Sequence, residues 1–145
     1  MACNCEDLNA IHGVLAGIAQ QNDAAAWDAY GALFTDDGVL DCFGREYVGR
    51  DAIVKFTARR HIGKHLLSLP IIDIDGDRAT AVTDYTFHRY PDLVLFGVGV
   101  YNDDLVKQDG RWLMARREIV IHGYHEEMTA ATKQSSTPIA DTVSS

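Results

Sequence analysis

Long hydrophobic runs and basic residues are scarce in this sequence, and each scarcity excludes a class of function. No apolar segment approaches the roughly 20 residues needed to cross a bilayer, and the N-terminus lacks the basic and apolar regions of a secretory signal. Thirteen Lys and Arg against 21 Asp and Glu give a net charge of -8, which repels nucleic-acid phosphates and anionic lipid headgroups. We therefore expect a cytoplasmic protein that has neither a nucleic-acid nor a membrane partner.

Cysteine is also rare, and the spacing of the three cysteines favours neither a disulfide framework nor a metal site. Cys3 and Cys5 are separated by one residue, whereas structural zinc sites usually space paired thiolates by roughly two to four residues. Cys42 lies in an apolar run. The chain has neither a glycine-rich phosphate loop nor a Gly-x-Ser-x-Gly motif, so we expect no metal and no cofactor.

What the sequence does contain is enough apolar material for one globular domain, since 47% of its 145 residues are hydrophobic. Its N-terminal half predicts three short helices. Apolar residues recur at helical spacing over 7–21, Asp23 is positioned to cap a second helix over 24–34, and Asp51 to cap a third. Between the second and third helices the sequence predicts a turn over 35–38 and a strand over 39–43.

The C-terminal half predicts four long strands joined by tight hairpins. The β-rich runs are 65–74, 78–89, 94–107 and 112–124. Asp75-Gly76-Asp77 and Asp109-Gly110 are hairpin signals, because Gly and Asp tolerate positive φ. Gly97 and Gly99 predict a bulge within the third strand. The result is an antiparallel meander, which must curve to pack its apolar face on the helices.

A candidate site follows from this architecture, because helices on a bent sheet enclose a pocket whose polar side chains decide the chemistry. Strand parity predicts that His65 and His88 enter the cavity from neighbouring strands, with His122 near the rim. A carboxylate that holds the tautomer of a histidine makes it a better base, and Asp23 can reach His65. Spacing alone favours the simpler alternative that Asp23 only caps a helix, and that each histidine is structural.

Several local phrases resemble the SnoaL-like branch of the NTF2-like superfamily. They are WD at 27–28, LFTDDG at 33–38, YVGRDAI at 47–53, KHLL at 64–67, IDIDGDRA at 72–79 and DGRW at 109–112. The resemblance covers about residues 7–122. It implies an α+β cone in which three N-terminal helices pack on a strongly curved antiparallel sheet. We therefore assign 1–125 to a SnoaL-like domain and expect the Ser- and Thr-rich 126–145 to be a flexible tail.

Within that superfamily the chain is most similar to the branch of scytalone dehydratase and hexachlorocyclohexane dehydrochlorinase, which use an Asp-His pair for elimination. The matching residues here are Asp23 and His65, which favours the pair over the helix cap. His88, followed by Arg-Tyr, resembles the second histidine of the dehydratase, which would act on the leaving oxygen. Asn22 and Cys42 stand where the dehydratase has water-holding tyrosines, so its own substrate is disfavoured. The dehydrochlorinase lacks an equivalent of His88, which argues against haloalkane elimination.

The resemblance and the residues together favour a cofactor-free, dehydratase-like lyase acting on a small apolar or polyketide- or aromatic-type substrate. His65 would abstract the proton, Asp23 would steady the imidazolium, and His88, with Tyr85 or Tyr101, would hydrogen-bond the departing oxygen. The predicted substrate-binding residues are Trp27, Tyr30, Cys42, Phe43, Tyr85, Phe87, Phe96, Val98, Tyr101 and His122. The alternatives are an isomerase or cyclase with the same base, or a non-catalytic small-molecule-binding or dimerisation module. By resemblance we expect a homo-oligomer, either a dimer or a trimer.

Overall fold

The computed structural model describes residues 4–126, in which three helices precede or interrupt a seven-stranded sheet. The elements are α1 Cys5–Asp23, α2 Trp27–Gly31, β1 Phe34–Cys42, β2 Arg45–Val48, α3 Arg50–Thr57, β3 Gly63–Leu67, β4 Ile71–Asp75, β5 Arg78–Arg89, β6 Val94–Gln108 and β7 Arg111–Tyr124. The predicted tail over 126–145 lies outside the described residues, apart from Glu126. None of the described helices is long and apolar enough to cross a membrane.

The sheet is curved and has the strand order β2-β1-β7-β6-β5-β3, with β4 also paired to β5. All of these pairs are antiparallel except β1 with β7, which is parallel. The predicted antiparallel sheet is therefore mixed. The physical reason is that no hairpin joins β1 to β7. The chain passes through β2, α3 and the other strands before β7 pairs with β1, so the two strands are free to run in the same direction.

The C-terminal strands agree closely with the sequence pattern. The prediction for β5 is confirmed at both ends, and β6 and β7 each differ from prediction by one residue at one end. The predicted run over 65–74 is instead split into β3 and β4 at Ser68-Leu69-Pro70, since proline has no N–H to donate to a strand ladder. Asp109 and Gly110 turn the last hairpin with φ of 50° and 75°.

The N-terminal half departs further from prediction. The second helix covers only Trp27–Gly31, and the predicted turn over 35–38 lies inside β1, as an irregularity in its pairing with β7. Gly49, with φ of 89°, stands at the N-cap of α3, so Asp51 is not the cap. β2 was not predicted. It pairs with β1, and β1 itself pairs with the long β7, which draws 35–38 into the sheet and overrides the local turn preference of that segment.

Bulges interrupt the alternation of β6 and β7, and they change which residues face the helices. Shifts of register lie opposite Phe87 and His88, between Val98 and Gly99, and between Asp104 and Leu105. They confirm the bulge predicted from the two glycines of β6. On β7 the side chains that join the core cluster are Trp112 and Met114 before the bulge, whereas Arg117 is the buried side chain that lines the cavity after it. Along β7, the side chains that face the helices therefore have even numbers before the bulge and odd numbers after it.

Helix α1 covers the inner face of the sheet and contacts β7 and β3. Its residues Ile11, Leu15 and Ile18 are almost completely buried in one core with Phe34 and Met114. The start of the helix is tied to the sheet because the Asp7 carboxylate accepts hydrogen bonds from Trp112 Nε1 and Lys107 Nζ. Cys5 in the first turn is disulfide-bonded, contrary to the expectation from cysteine spacing, while Cys42 is a buried thiol.

Gly99 gives a direct test of the bulge between β6 and β7. A Cβ added there would lie 2.1 Å from the Val120 carbonyl oxygen, which belongs to the neighbouring strand and cannot rotate away. We expect Gly99→Ala to lower the free energy of unfolding by about 2–3 kcal/mol in urea titrations. Gly13→Ala on α1 is the matched control, since nothing lies within 4 Å of its added Cβ and alanine favours a helix. Equal effects of the two substitutions would contradict this account of the bulge.

Candidate active site

A cavity of about 110 Å³ opens between the inner face of the sheet and the helices α1 and α3. Apolar side chains form most of its wall. These are Ile18, Ala19, Leu40, Phe43, Phe56, Phe87, Phe96, Ile119 and Ile121, joined by the Cys42 thiol. Polar side chains also reach the wall, namely Asn22, Tyr30, Thr57, Arg60, His61, His65, Tyr85, Tyr101 and Arg117. An apolar pocket with a few convergent polar groups is the usual form of a small-molecule site.

Asp23 and His65 are in direct contact at one side of this cavity. The His65 Nδ1 lies 2.6 Å from Asp23 Oδ1, and the main-chain N–H of His65 donates to Asp23 Oδ2 over 3.0 Å. Both side chains are largely buried, with 9% of Asp23 and 15% of His65 exposed. Because a carboxylate only accepts, Nδ1 is the donor in this contact, and in the tautomer that has its single proton on Nδ1 the other nitrogen, Nε2, is an acceptor. The ring lines the cavity.

The local fold explains why Asp23 serves the histidine and does not cap a helix. Asp23 is the last residue of α1, and the chain then turns through Ala25, with φ of 54°, before α2 begins. The N-cap of α2 is Ala26, which makes no side-chain cap. The carboxylate therefore points across to β3, whose edge position brings His65 to the end of the helix. The helix-cap interpretation of Asp23 is wrong.

Aromatic rings surround His65 on the sheet. The rings of Tyr85 and Tyr101 stack in parallel with centroids 4.1 Å apart, and Phe87 lies 4.6 Å from the imidazole. Burial raises the pKa of Tyr85 to about 12 and that of Tyr101 well above its usual value. Both phenols are consequently protonated at neutral pH. Each is a hydrogen-bond donor at the cavity wall.

Arg117 and Asp103 form a buried ion pair at the base of the cavity. Arg117 Nε and Nη2 each donate to one carboxylate oxygen of Asp103 over 2.8 Å, and the guanidinium lies 3.9 Å from the centre of the Tyr101 ring. Burial opposes the charge on Arg117, but the carboxylate outweighs it and raises the arginine pKa above its usual range. Only two of the guanidinium nitrogens are occupied by Asp103. Nη1 is left for another acceptor.

Seven of the predicted substrate-binding residues line this cavity together with His65. They are Tyr30, Cys42, Phe43, Tyr85, Phe87, Phe96 and Tyr101. Phe43 stands at the mouth with 43% of its surface exposed, and with Gly44 it forms the turn between β1 and β2. Tyr30 donates to or accepts from Thr57 Oγ1 at 3.1 Å. Burial raises the pKa of the Cys42 thiol to about 11, so it remains protonated.

His88 does not enter the cavity. On β5 the buried face is formed by Tyr85 and Phe87, whereas His88 shares the opposite face with Thr86, whose Oγ1 lies 3.1 Å from His88 Nε2. His65 pairs with Phe87, and His88 pairs with Lys64. Neighbouring strand positions that face each other point the same way, so the two histidines point to opposite sides of the sheet. The prediction that both enter the pocket is wrong.

Three further predicted residues also lie away from the cavity. Trp27 packs edge-on against Tyr30 at 5.9 Å and lines a separate groove between α2 and α3. Val98 is paired with Thr86 on the outer face of the sheet. His122 is exposed, while its neighbour Ile121 lines the cavity. Val98 and His122 were predicted to face the cavity because strand parity was counted as if β6 and β7 had no bulges.

The sequence patterns missed three basic residues of the cavity wall: Arg60, His61 and Arg117. The ring of His61 packs against Phe96 with centroids 4.5 Å apart. Arg117, Ile119 and Ile121 occupy every second position of β7. An arginine on the same strand face as two isoleucines could have indicated a buried, functional arginine. Among residues 4–126, no group of three His, Cys, Asp or Glu side chains is arranged to hold a metal ion.

Comparisons with known proteins agree with this architecture. The model of the SnoaL-like domain family matches residues 4–118. A solved protein of unknown function from Mycobacterium tuberculosis is 26% identical, with a TM-score of 0.76 over 81% of this chain and 73% of that one. No curated protein matches the chain.

Two further solved structures share the fold at lower identity. A protein named as a scytalone dehydratase from Novosphingobium aromaticivorans is 23% identical, with a TM-score of 0.72 over 84% of this chain and 90% of that one. A type 3 hexachlorocyclohexane dehydrochlorinase from Novosphingobium barchaimii is 13% identical, with a TM-score of 0.74 over 84% of this chain and 90% of that one. At these identities the likeness establishes the fold alone.

The ion pair below the cavity gives the site a stability test. Because Arg117 is 3% exposed, Asp103→Ala leaves a buried guanidinium without its carboxylate, and we expect a loss of about 3–5 kcal/mol in the free energy of unfolding. The double variant Asp103→Leu with Arg117→Met removes both charges and should recover most of that loss. Urea titrations of the wild type and the variants measure both effects. A loss below about 1 kcal/mol for Asp103→Ala would contradict a buried, coupled pair.

Proposed function

The chain belongs to the SnoaL-like domain family, and we propose that it is a cofactor-free lyase of the dehydratase type, in which His65 is the general base and Asp23 its positioning residue. The observation that carries the proposal is the 2.6 Å contact between His65 Nδ1 and Asp23 Oδ1 at the wall of an apolar cavity. This contact leaves Nε2 as an acceptor toward the cavity. The substrate is a small organic molecule with a hydroxyl group one carbon beyond an activated C–H bond.

In the proposed reaction, Nε2 removes a proton from the carbon beside a carbonyl group. The electrons of that C–H bond form the new carbon–carbon double bond, and the bond to the β-hydroxyl oxygen breaks. The departing hydroxyl takes up a proton, from the His65 imidazolium or from solvent, and leaves as water. The imidazolium that forms on His65 is stabilised by the Asp23 carboxylate, which is itself held by the main-chain N–H of His65. The His65 proton then returns to solvent or to the leaving oxygen.

With His88 on the other face of the sheet, the polar assistance in this proposal comes from Tyr85, Tyr101 and Arg117. The two phenols remain protonated because burial raises their pKa values, and Tyr85 lies beside His65 with ring centroids 6.5 Å apart. The Arg117 nitrogen that Asp103 does not occupy is the third donor. Donors aimed at a developing oxyanion in a dry site contribute about 2.7–4 kcal/mol each. These groups therefore support the carbonyl oxygen or the departing hydroxyl.

Two other functions use the same pocket. An isomerase or cyclase would return the proton to a different carbon without expelling a group, and the same base supports it. A binding module would hold the ligand without transferring a proton. The contact between Asp23 and His65 favours the catalytic functions, because binding of an apolar ligand does not require a base with a held tautomer.

The test measures conversion of β-hydroxycyclohexanone to cyclohexenone by its ultraviolet absorbance, with the β,γ-unsaturated ketone assayed in parallel for isomerisation. We expect His65→Gln to reduce the elimination rate by at least about 100-fold, because the base is lost. Asp23→Asn should reduce kcat by about 10- to 100-fold, since an amide no longer holds the required tautomer. His88→Gln is the matched control and should leave the rate unchanged, because His88 lies on the outer face.

Each function has its own result in this assay. Conversion of the β,γ-unsaturated ketone alone would favour the isomerase. Binding of the ketones with neither conversion nor exchange of their α-protons into D₂O would favour the binding module. A His65→Gln enzyme that turns over as fast as the wild type would contradict the proposed base.

We also propose that the chain forms a homo-oligomer through the outer face of the sheet. Leu66, Val82 and Leu95 lie on this face and are 44–54% exposed. Apolar side chains on a sheet face are stabilised by burial against a second copy. We expect sedimentation velocity to find a dimer or trimer that Leu66→Asp shifts toward the monomer. A wild-type protein that sediments as a monomer at micromolar concentration would contradict this assembly.

A further inference from the structure

The charges around the cavity are unlike those of the chain as a whole. Acidic residues outnumber basic ones by 21 to 13 in the sequence. The cavity wall has the opposite balance, because two arginines and two histidines line it and no Asp or Glu side chain does. A site with this lining is unfavourable to cationic ligands and favourable to ligands with a negative charge.

Three of these four groups already have a partner or an assigned role. Asp103 offsets the charge of Arg117 with two hydrogen bonds, and Asp23 holds His65. His61 packs on Phe96. Arg60 differs, because no carboxylate of residues 4–126 forms an ion pair with it. Within the described part of the chain, its guanidinium is a positive charge at the cavity wall without a carboxylate partner.

Aromatic stacking holds Arg60 in position without using its hydrogen-bond donors. The guanidinium carbon lies 5.4 Å from the centre of the Phe56 ring, and Phe56 stacks on Tyr47 with centroids 3.9 Å apart. The main-chain N–H of Arg60 donates to the Thr57 carbonyl over 3.0 Å, which continues the last turn of α3. The guanidinium thus lies over the Phe56 ring, a contact that uses none of its N–H donors.

Cys42 and Phe43, which line the same cavity, do not neutralise the guanidinium charge of Arg60. Burial raises the pKa of the Cys42 thiol to about 11, with the Arg60 charge opposing only part of the effect, so the thiol stays neutral. Phe43 at the cavity mouth is apolar. A guanidinium in a partly apolar setting binds a carboxylate more strongly than one in open water, and the geometry suits two parallel hydrogen bonds.

We propose that Arg60 is a specificity-determining residue that receives the carboxylate of a small, single-ring organic acid bound in this cavity. The size follows from the cavity, because about 110 Å³ is on the scale of the roughly 150 Å³ pocket that takes up one benzene ring. The acid group follows from the unpaired guanidinium. The proposal rests on the proposed function only in that the same pocket holds the substrate. The ring then lies between Arg60 and His65, which approach the cavity from different elements.

The simpler alternative is that Arg60 only complements the carbonyl end of α3, as basic residues near helix C-termini often do. Arg59, its neighbour, provides the comparison. It is exposed in the same turn and does not line the cavity. If helix complementation were the whole role, the two arginines would behave alike, and neither would affect the choice between ligands.

Calorimetric titration with benzoate and benzamide tests the proposal, because the two probes have similar shapes and differ in charge. We expect the wild type to bind benzoate at least about tenfold more tightly than benzamide. Arg60→Gln should reduce this preference to about threefold or less while leaving benzamide affinity unchanged. Arg60→Lys should retain part of the preference, and Arg59→Gln should retain all of it.

Three results would overturn the proposal: a wild type without the preference, an Arg60→Gln variant that keeps it, or an Arg59→Gln variant that loses it equally. Absence of benzoate binding at about 10 mM in the wild type counts as the first of these. The titration involves no turnover, so its outcome is separate from that of the elimination assay. A wild type that prefers benzoate but shows no elimination would contradict the proposed base alone, and a wild type that eliminates water without this preference would contradict the acid site alone.

Discussion

The contact between the Asp23 carboxylate and His65 joins parts of the chain that are 42 residues apart, and the rest of the site depends on it. It ties the last residue of α1 to the edge strand β3 by two hydrogen bonds, one to the ring and one to the main chain. The helix end, the sheet edge and the histidine tautomer are consequently specified together. This is why the cavity opens beside His65, and why a change in the position of α1 would alter the chemistry as well as the packing.

The cavity combines apolar walls with charges whose partners lie behind them. Asp103 sits behind Arg117, Asp23 sits behind His65, and neither carboxylate lines the cavity itself. The protonated phenols of Tyr85 and Tyr101 complete a set of donors that face inward. This arrangement keeps negative charge away from the cavity while stabilising the positive groups that line it. Arg60 differs from these groups, since within residues 4–126 it contacts an aromatic ring and forms no ion pair with a carboxylate.

Much of the fold could be predicted from the sequence, because the long strands of the C-terminal half carry clear hairpin signals at Gly76 and Gly110. The pair of Asp23 and His65 was found by combining strand parity with family resemblance. His88 was assigned wrongly because parity along β5 does not reveal which of its faces is the inner one, and His65 pairs with Phe87 on the inner face. Val98 and His122 were assigned wrongly because strand parity does not reveal a bulge within the strand. Arg117 was missed for the same reason, since the buried face of β7 changes between Met114 and Arg117. The pairing of β1 with β7 is long-range, so no local pattern near Thr35 could indicate it.

The most direct measurement of the central claim is the tautomer of His65, read from the ¹⁵N chemical shifts and two- and three-bond proton couplings of its ring in the uniformly labelled protein. The account predicts a neutral ring with its proton on Nδ1 and an unprotonated Nε2 toward the cavity, and it predicts that Asp23→Asn removes this preference. A ring that carries its proton on Nε2 in the wild type, or a tautomer that Asp23→Asn leaves unchanged, would contradict it.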